Sequence, residues 1–365
     1  MISFAEGKER TRALGYYTAV SIGGSAVGLL LGGILTDWVS WRWVLFVNVP
    51  VGIALLWLGR TALPETPTHP GRFDLSGALT STLGMTGLVF GFVRAATDGW
   101  SDIGTVISFV GGLVLLTAFV LVELRASSPI TPLALFADRN RSASHAVRLL
   151  LVAGMNGVFF FLTQFLQDVL GYSPFLTGLA FLPLTVVLFL SSQLCAQFGI
   201  ERFGGKTMMV VGLACSSAGL LWLTGLHAGS NYLALLGPLA LFGIGNGLAF
   251  VPLTAVSLAG VREQDAGAAS GLVNVMQQVG GAVGLAVLVT IFGTASRHDL
   301  AHPPAGLDAA AAHLHAFIAG ADRAFLAAAL FLVAALLLTI AVIRGGNAGV
   351  ERHPAELEQE AAPVS

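Results

Sequence analysis

Residues 266–294 read AGAASGLVNVMQQVGGAVGLAVLVTIFGT, a run without a single Asp, Glu, Lys or Arg. In helical conformation about 20 mostly apolar residues cross the roughly 30 Å of hydrocarbon in a bilayer, so this stretch is long enough to span a membrane. Its polar residues are not scattered. Gly267, Gly271, Asn274, Gln278 and Gly281 step by four, three, four and three, with Gln277 beside them, while Val, Leu, Ala and Met dominate elsewhere. That step keeps them on one helix face. A small, polar strip on an otherwise apolar helix faces protein or a water-filled cavity, not lipid.

The chain holds ten such stretches, near 13–36, 41–61, 74–95, 103–124, 143–167, 174–199, 206–227, 231–259, 266–294 and 321–343. They are continuous, whereas a membrane β-barrel shows alternating segments of about ten residues. The expectation is an all-α integral membrane protein with about ten transmembrane helices. Composition agrees: 55% of the 365 residues are hydrophobic, 10% are charged, and mean hydropathy is +0.81. A soluble domain carries about 25% charged residues, so there is too little charge here to cover a water-facing surface. Disorder, nucleic-acid binding and an ordinary cytosolic enzyme are excluded. A net charge of −2 points to no charged partner. Cys195 and Cys215 both lie in apolar stretches and read as small buried hydrophobes. Met1 to Arg12 is charged, unlike a signal peptide, so no cleaved leader is expected.

Orientation follows from the basic residues. With the N-terminus in the cytoplasm, Arg42, Arg94, Arg297 and Arg323 fall outside, and the other fourteen of the 18 Lys and Arg, Arg148 among them, fall inside. The positive-inside rule then puts both termini in the cytoplasm. Residues 62–73 read as a Pro-rich inner loop, and 125–142 as an inner connection with a short interfacial helix at Leu133 to Phe136. Residues 295–320 read as a long outer loop rich in Ala and His, and the tail after Arg344 is polar. That outer loop holds His298, His302, His313 and His315, but no Cys joins them and no closed ligand set is visible, so no metal or cofactor is expected. No nucleophile–base pair, Walker loop or dinucleotide motif is present, so no enzyme is expected.

Glycine is abundant, at 45 residues. Gly24, Gly28 and Gly32 recur every four positions, followed by Gly33, a strip on which a neighbouring backbone can pack. The string GSAVGLLLGG, Gly24 to Gly33, resembles the Gly-x-x-x-Gly-Pro-x-x-Gly-Gly antiporter motif of major facilitator superfamily exporters, with Leu29 at the proline position. The next turn, SWRWVLFVNVP from Ser40 to Pro50, sets Trp41 and Trp43 at the membrane–water interface with Arg42 toward the headgroups. It is similar to the Trp-Arg-Trp…Asn-x-Pro signature of the fourteen-span drug:proton antiporters of the EmrB/QacA type. FFLTQFLQDVLGYSP (Phe160 to Pro174), GLAFLP (Gly178 to Pro183), GIGNGLAFVP (Gly243 to Pro252) and Ala266 to Gly284 match in the same order.

This resemblance implies a major facilitator-type helix bundle that exports small amphipathic drugs or natural products in exchange for protons. The family places the antiporter motif in the fifth span. The chain is therefore expected to correspond to spans five to fourteen and to lack the first four. Residues 1–61 would close the N-terminal half with two spans, and 62–142 would be the inserted helix pair with its cytoplasmic loops. Residues 143–343 would be the six-helix C-terminal half, and 344–365 a cytoplasmic tail. No acidic residue falls near the centre of a span, so the coupling carboxylate is expected in the missing spans. Two alternatives keep the fold: a truncated, transport-inactive protein, and a facilitator or uptake carrier for a small metabolite. The sequence leaves the oligomeric state open.

The resemblance further implies that the fifth, sixth, eighth and ninth spans line the central cavity. Their polar residues are Asn156, Gln164 and Gln167, ringed by Phe159, Phe160, Phe161 and Phe165; Gln193 beside Ser191 and Ser192; Asn246 and Thr254; and Asn274, Gln277 and Gln278. Each either lines the pathway or hydrogen-bonds a neighbouring helix, a contact worth about 0.6 kcal/mol in a membrane. Pro183 and Pro252 lie mid-span, as hinges or as static kinks. The inner segment Glu201 to Lys206 resembles a degenerate gating motif, and a tight Gly204-Gly205 turn explains it equally well.

Overall fold

Most of the long apolar runs begin at a side chain able to cap a helix. Ser40, Asp74, Asp102, Asp138, Ser173, Asn231 and Asp308 each accept a hydrogen bond from a first-turn backbone N–H, relieving donors that have no partner inside the helix. The computed structural model describes Gly24 and residues 27–62, 74–126, 133–262, 265–304 and 306–344. Among these the elements are all helical. In order they are α1 (Val27–Trp38), α2 (Trp41–Phe46), α3 (Asn48–Ala62), α4 (Leu75–Asp98), α5 (Ile103–Glu123), α6 (Arg139–Gln164) and α7 (Pro174–Ala180). Then come α8 (Leu182–Leu194), α9 (Ile200–Phe203), α10 (Gly205–Leu223), α11 (Tyr232–Leu258), α12 (Ala266–Ala301) and α13 (Ala309–Val342).

Nine stretches among the described residues are long and apolar enough to cross a membrane, from Trp41–Thr61 to Ala309–Val342. They correspond to the second through tenth expected spans. The first expected span, 13–36, lies largely outside the described residues; its end is α1. Two runs are interrupted. The second breaks at Val47, ahead of Pro50, and the sixth breaks at Phe181, ahead of Pro183. In each case the proline cannot donate to the carbonyl four residues back.

One expectation needs correcting. Residues 295–320 are not a long loop, because α12 runs on to Ala301 and α13 starts at Ala309. The segment is alanine-rich, alanine is the best helix former, and Asp308 caps α13 by accepting from the Ala311 N–H at 2.7 Å. By contrast, the expected short helix at Leu133–Phe136 is present as a single 3-10 turn.

Six membrane-length segments from Arg139 to Val342 share a core that includes Leu151, Phe161 and Phe165 of the stretch Arg139–Val169, with Phe181, Met209, Leu213, Phe242, Phe325 and Leu332. Close approach depends on absent side chains. A Cβ at Gly280 of α12 would lie 2.5 Å from the Leu149 carbonyl oxygen of α6, and one at Gly284 would collide with Ala153. The α4–α5 hairpin leans on α12, where the Thr290 hydroxyl donates to the Phe92 carbonyl at 3.0 Å. Its turn is tied by Arg94 Nε donating to Asp102 at 2.7 Å. That guanidinium, helped by the Thr105 N–H, holds the Asp102 carboxyl below the usual carboxylate range.

Candidate functional site

Helix α6 and the π turn that continues it carry three of the expected pathway residues. Asn156 is half-buried, with its amide nitrogen set against Gly281 of α12 where no side chain intervenes. Gln164 and Gln167 are half-buried too, and the Gln164 amide nitrogen is enclosed without an acceptor. From Phe165 to Val169 the backbone widens into a π turn, as it does again at Cys195–Gly199 after α8. Such turns recur at functional sites because they displace the side chains of the following residues. Hydropathy is blind to them.

The remaining polar residues separate into distinct settings. Gln193 of α8 is half-buried, whereas its neighbour Ser191 is buried and donates to backbone carbonyls of its own helix. Asn246 is fully buried and turned toward α10, donating to Ser216 Oγ at 3.2 Å and to the Phe242 carbonyl at 2.9 Å. It joins helices. Thr254 is half-buried on α11. On α12, Gln277 is half-buried, while Asn274 and Gln278 are exposed.

The glycine strip behaves unevenly. Among the described residues nothing comes within 4 Å of a Cβ placed on Gly24, Gly28 or Gly32, whereas one on Gly33 would lie 2.8 Å from the Pro174 carbonyl oxygen at the start of α7. Trp41 and Trp43 are 61% and 53% exposed, and the Arg42 guanidinium lies 5.7 Å from the Trp41 ring, an arrangement suited to anchoring at an interface. Pro183 sits in the first turn of α8, right after the break at Phe181, whereas Pro252 is buried inside an unbroken α11. Two grooves of about 540 and 680 Å³ run along α4 and between Trp100, α12 and α13, and none of the expected pathway residues lines either. Of the histidines beyond α12's core portion, the His298 and His302 rings lie 5.0 Å apart at a tilt of 33°, and His315 Nδ1 lies 2.7 Å from the Asp299 carboxylate.

Arg148, grouped above with the inner basic residues, lies inside a helix. It belongs to no loop: it is 1% exposed, inside α6, with Nη2 donating to Thr254 Oγ1 at 2.7 Å. Its position five residues into the fifth expected span was the available signal, since a basic residue inside a span is as informative as an acidic one.

The sequence comparisons agree with this architecture. The family model described as Major Facilitator Superfamily matches residues 1–285. The chain is 41% identical over 297 residues to a cephamycin export protein of Amycolatopsis lactamdurans, covering 80% of this chain and 61% of that protein. It is 40% identical over 345 residues to a puromycin resistance protein of Streptomyces alboniger, covering 92% and 66%. A tetracenomycin C resistance and export protein of Streptomyces glaucescens is 34% identical over 289 residues, covering 79% and 53%. The chain thus spans somewhat under two thirds of the length of these relatives. With a matched family model over most of its length and a multi-pass helical bundle to go with it, the chain belongs to the Major Facilitator Superfamily.

Proposed function

We propose that the chain exports small amphipathic organic compounds across a bacterial plasma membrane by alternating access, in exchange for protons and with both termini cytoplasmic. The observation that carries this reading is similarity at 34–41% identity to proteins named for export of, or resistance to, three different antibiotics. The helices add support. Asn156, Gln164, Gln167, Gln193, Thr254 and Gln277 are half-buried polar groups on membrane-length apolar helices, and such groups mark substrate paths or helix contacts. In this reading α6, α8, α11 and α12 border the pathway. Residues 143–343 form the C-terminal half, 1–61 the end of the N-terminal half, 62–142 the inserted pair and 344–365 the tail. The helix break ahead of Pro183 serves as a hinge, and the proton-binding carboxylate is assigned, by resemblance, to spans preceding the antiporter motif.

The test uses everted membrane vesicles carrying the full chain, with a cephamycin, which bears carboxylates, and puromycin, which bears an amine, as separate probes. Export predicts uptake several-fold above empty vesicles while the interior is acidic, and its collapse when the proton gradient is dissipated. Equilibration that ignores the gradient would favour a facilitator. Uptake equal to empty vesicles would mean a transport-inactive chain.

A further inference from the structure

A strip of basic side chains, two of them guanidiniums, is enclosed in α6. Arg141, His145 and Arg148 are spaced four and three residues apart, which sets them on one helix face, and they are 8%, 2% and 1% exposed. Arg148 stands about 13 Å along the helix from Arg139, inside the membrane-length stretch. Its Nη2 donates to Thr254 Oγ1 at 2.7 Å and its guanidinium lies 5.3 Å from the Phe250 ring, yet its buried Nε has no acceptor. Arg141 donates to the Leu135 and Ala259 carbonyls, and its own Nε is also enclosed without an acceptor, as are both ring nitrogens of His145.

No carboxylate among the described residues neutralises the strip. Asp138 is taken up in capping α6, accepting from the Arg141 backbone N–H at 2.7 Å. Ion pairs among the described residues include Arg94 with Asp98 and Asp102, and Arg262 with Asp265, none of which involves the strip. A hydroxyl dipole and a ring face are weak compensation for a guanidinium withdrawn from water. Charged groups inside membrane helices pair with one another or mark the route of a charged ligand. A guanidinium in particular presents a planar fork that fits a carboxylate with two parallel hydrogen bonds.

We infer that Arg148, flanked by the Thr254 hydroxyl and the Phe250 ring, receives a carboxylate of the transported compound, so that the pathway selects amphipathic organic anions. This rests on the reading that α6 and α11 border the pathway, and it adds a charge class to that reading. Arg141 reinforces the preference through a charge of the same sign two turns away on the same face, and Phe250 offers an apolar face to the body of the compound. A neutral analogue leaves the Arg148 Nε unpaired, and a cationic one is repelled.

The test measures binding of 1-naphthoate, its uncharged methyl ester and 1-naphthylmethylammonium to the full chain in lipid nanodiscs, for wild type, Arg148→Lys, Arg148→Gln and Thr254→Val. The acid is expected to bind at least tenfold more tightly than the ester in wild type, and the ammonium least well. Arg148→Gln removes that discrimination, and a single cooperative thermal unfolding transition with wild-type elution in size exclusion shows that the variant is folded. Arg148→Lys retains part of it, and Thr254→Val weakens acid binding alone. Equal binding of acid and ester to wild type, no acid binding, or discrimination that survives in Arg148→Gln would overturn the inference. The two readings fail separately. Vesicles that export the ester as well as the acid keep the export reading and remove the anion site, whereas selective acid binding without export keeps the site and removes the export reading.

Discussion

Asn246 of α11 gives its amide to Ser216 of α10 at 3.2 Å, while its own carbonyl oxygen is buried with no donor in reach. The pair is a half-satisfied polar contact at a close crossing of α10 and α11, where Gly245 would collide with Ser216 if it carried a Cβ. Asn246→Ala and Ser216→Ala are each expected to destabilise the protein by about 1 kcal/mol, near the upper part of the range for interhelical hydrogen bonds in membranes. The double variant should cost little more than either single one. Unfolding titrations in mixed detergent micelles measure this, and strictly additive losses would show that the two side chains act independently.

Gly280 and Gly271 differ only in what faces them. A Cβ at Gly280 meets the Leu149 backbone at 2.5 Å, while one at Gly271 meets nothing within 4 Å. Gly280→Ala is therefore expected to cost about 1–3 kcal/mol through forced separation of α6 and α12. Gly271→Ala should be neutral or stabilising by up to about 1 kcal/mol, from helix propensity. Melting temperatures of the two variants in detergent decide the matter. Equal losses at both sites would refute the packing account.

The α4–α5 turn should loosen in acid. Arg94 and the Thr105 N–H hold the folded Asp102 carboxyl below its ordinary 3.8. A depressed folded value means that the stabilisation is complete above the ordinary value and is lost as pH falls through the lower one. Trp100, stacked on Phe109 at 5.7 Å, is a natural reporter in this turn. Fluorescence of a variant retaining Trp100 as its one tryptophan should change with a midpoint below pH 3.8, and Asp102→Asn should abolish the step. A midpoint above that value would contradict the assignment.

Arg148→Met should raise the stability of the ligand-free protein by about 1–3 kcal/mol, because an apolar side chain replaces a buried charge that lacks a counter-ion. Thermal unfolding of the purified chain measures the gain. Destabilisation of similar size would mean that Thr254 and Phe250 satisfy the guanidinium by themselves, and that Arg148 is part of the scaffold.

Hydropathy located the membrane-length helices because a span announces itself through some twenty residues at once, and local substitutions hardly blur it. The extension of α12 and α13 escaped it because that segment carries Arg297, His298, Asp299 and several alanines. There capping and propensity decide the structure, and neither registers as apolarity. Arg148 reads as a flanking charge because a long arginine near a span end can reach the interface. Only α11, whose Thr254 lies 106 residues further along the chain, encloses it. The sorting of Asn246 from Thr254 was illegible for a related reason. Both sit on α11 eight residues apart, and which neighbour each meets is set by the way α6 and α10 pack on that helix.

The 36 residues of α12 make a rod about 54 Å long, far more than the roughly 30 Å of hydrocarbon. The end of α12 and the early turns of α13 make a helical stalk, its two arms joined by the Asp299–His315 bridge at 2.7 Å. A stalk of this kind is a lever. Tilting the rod by about 10° carries its tip through about 9 Å, so a spectroscopic label at His313 would register rearrangements in the buried part of the bundle that are too small to follow where they begin.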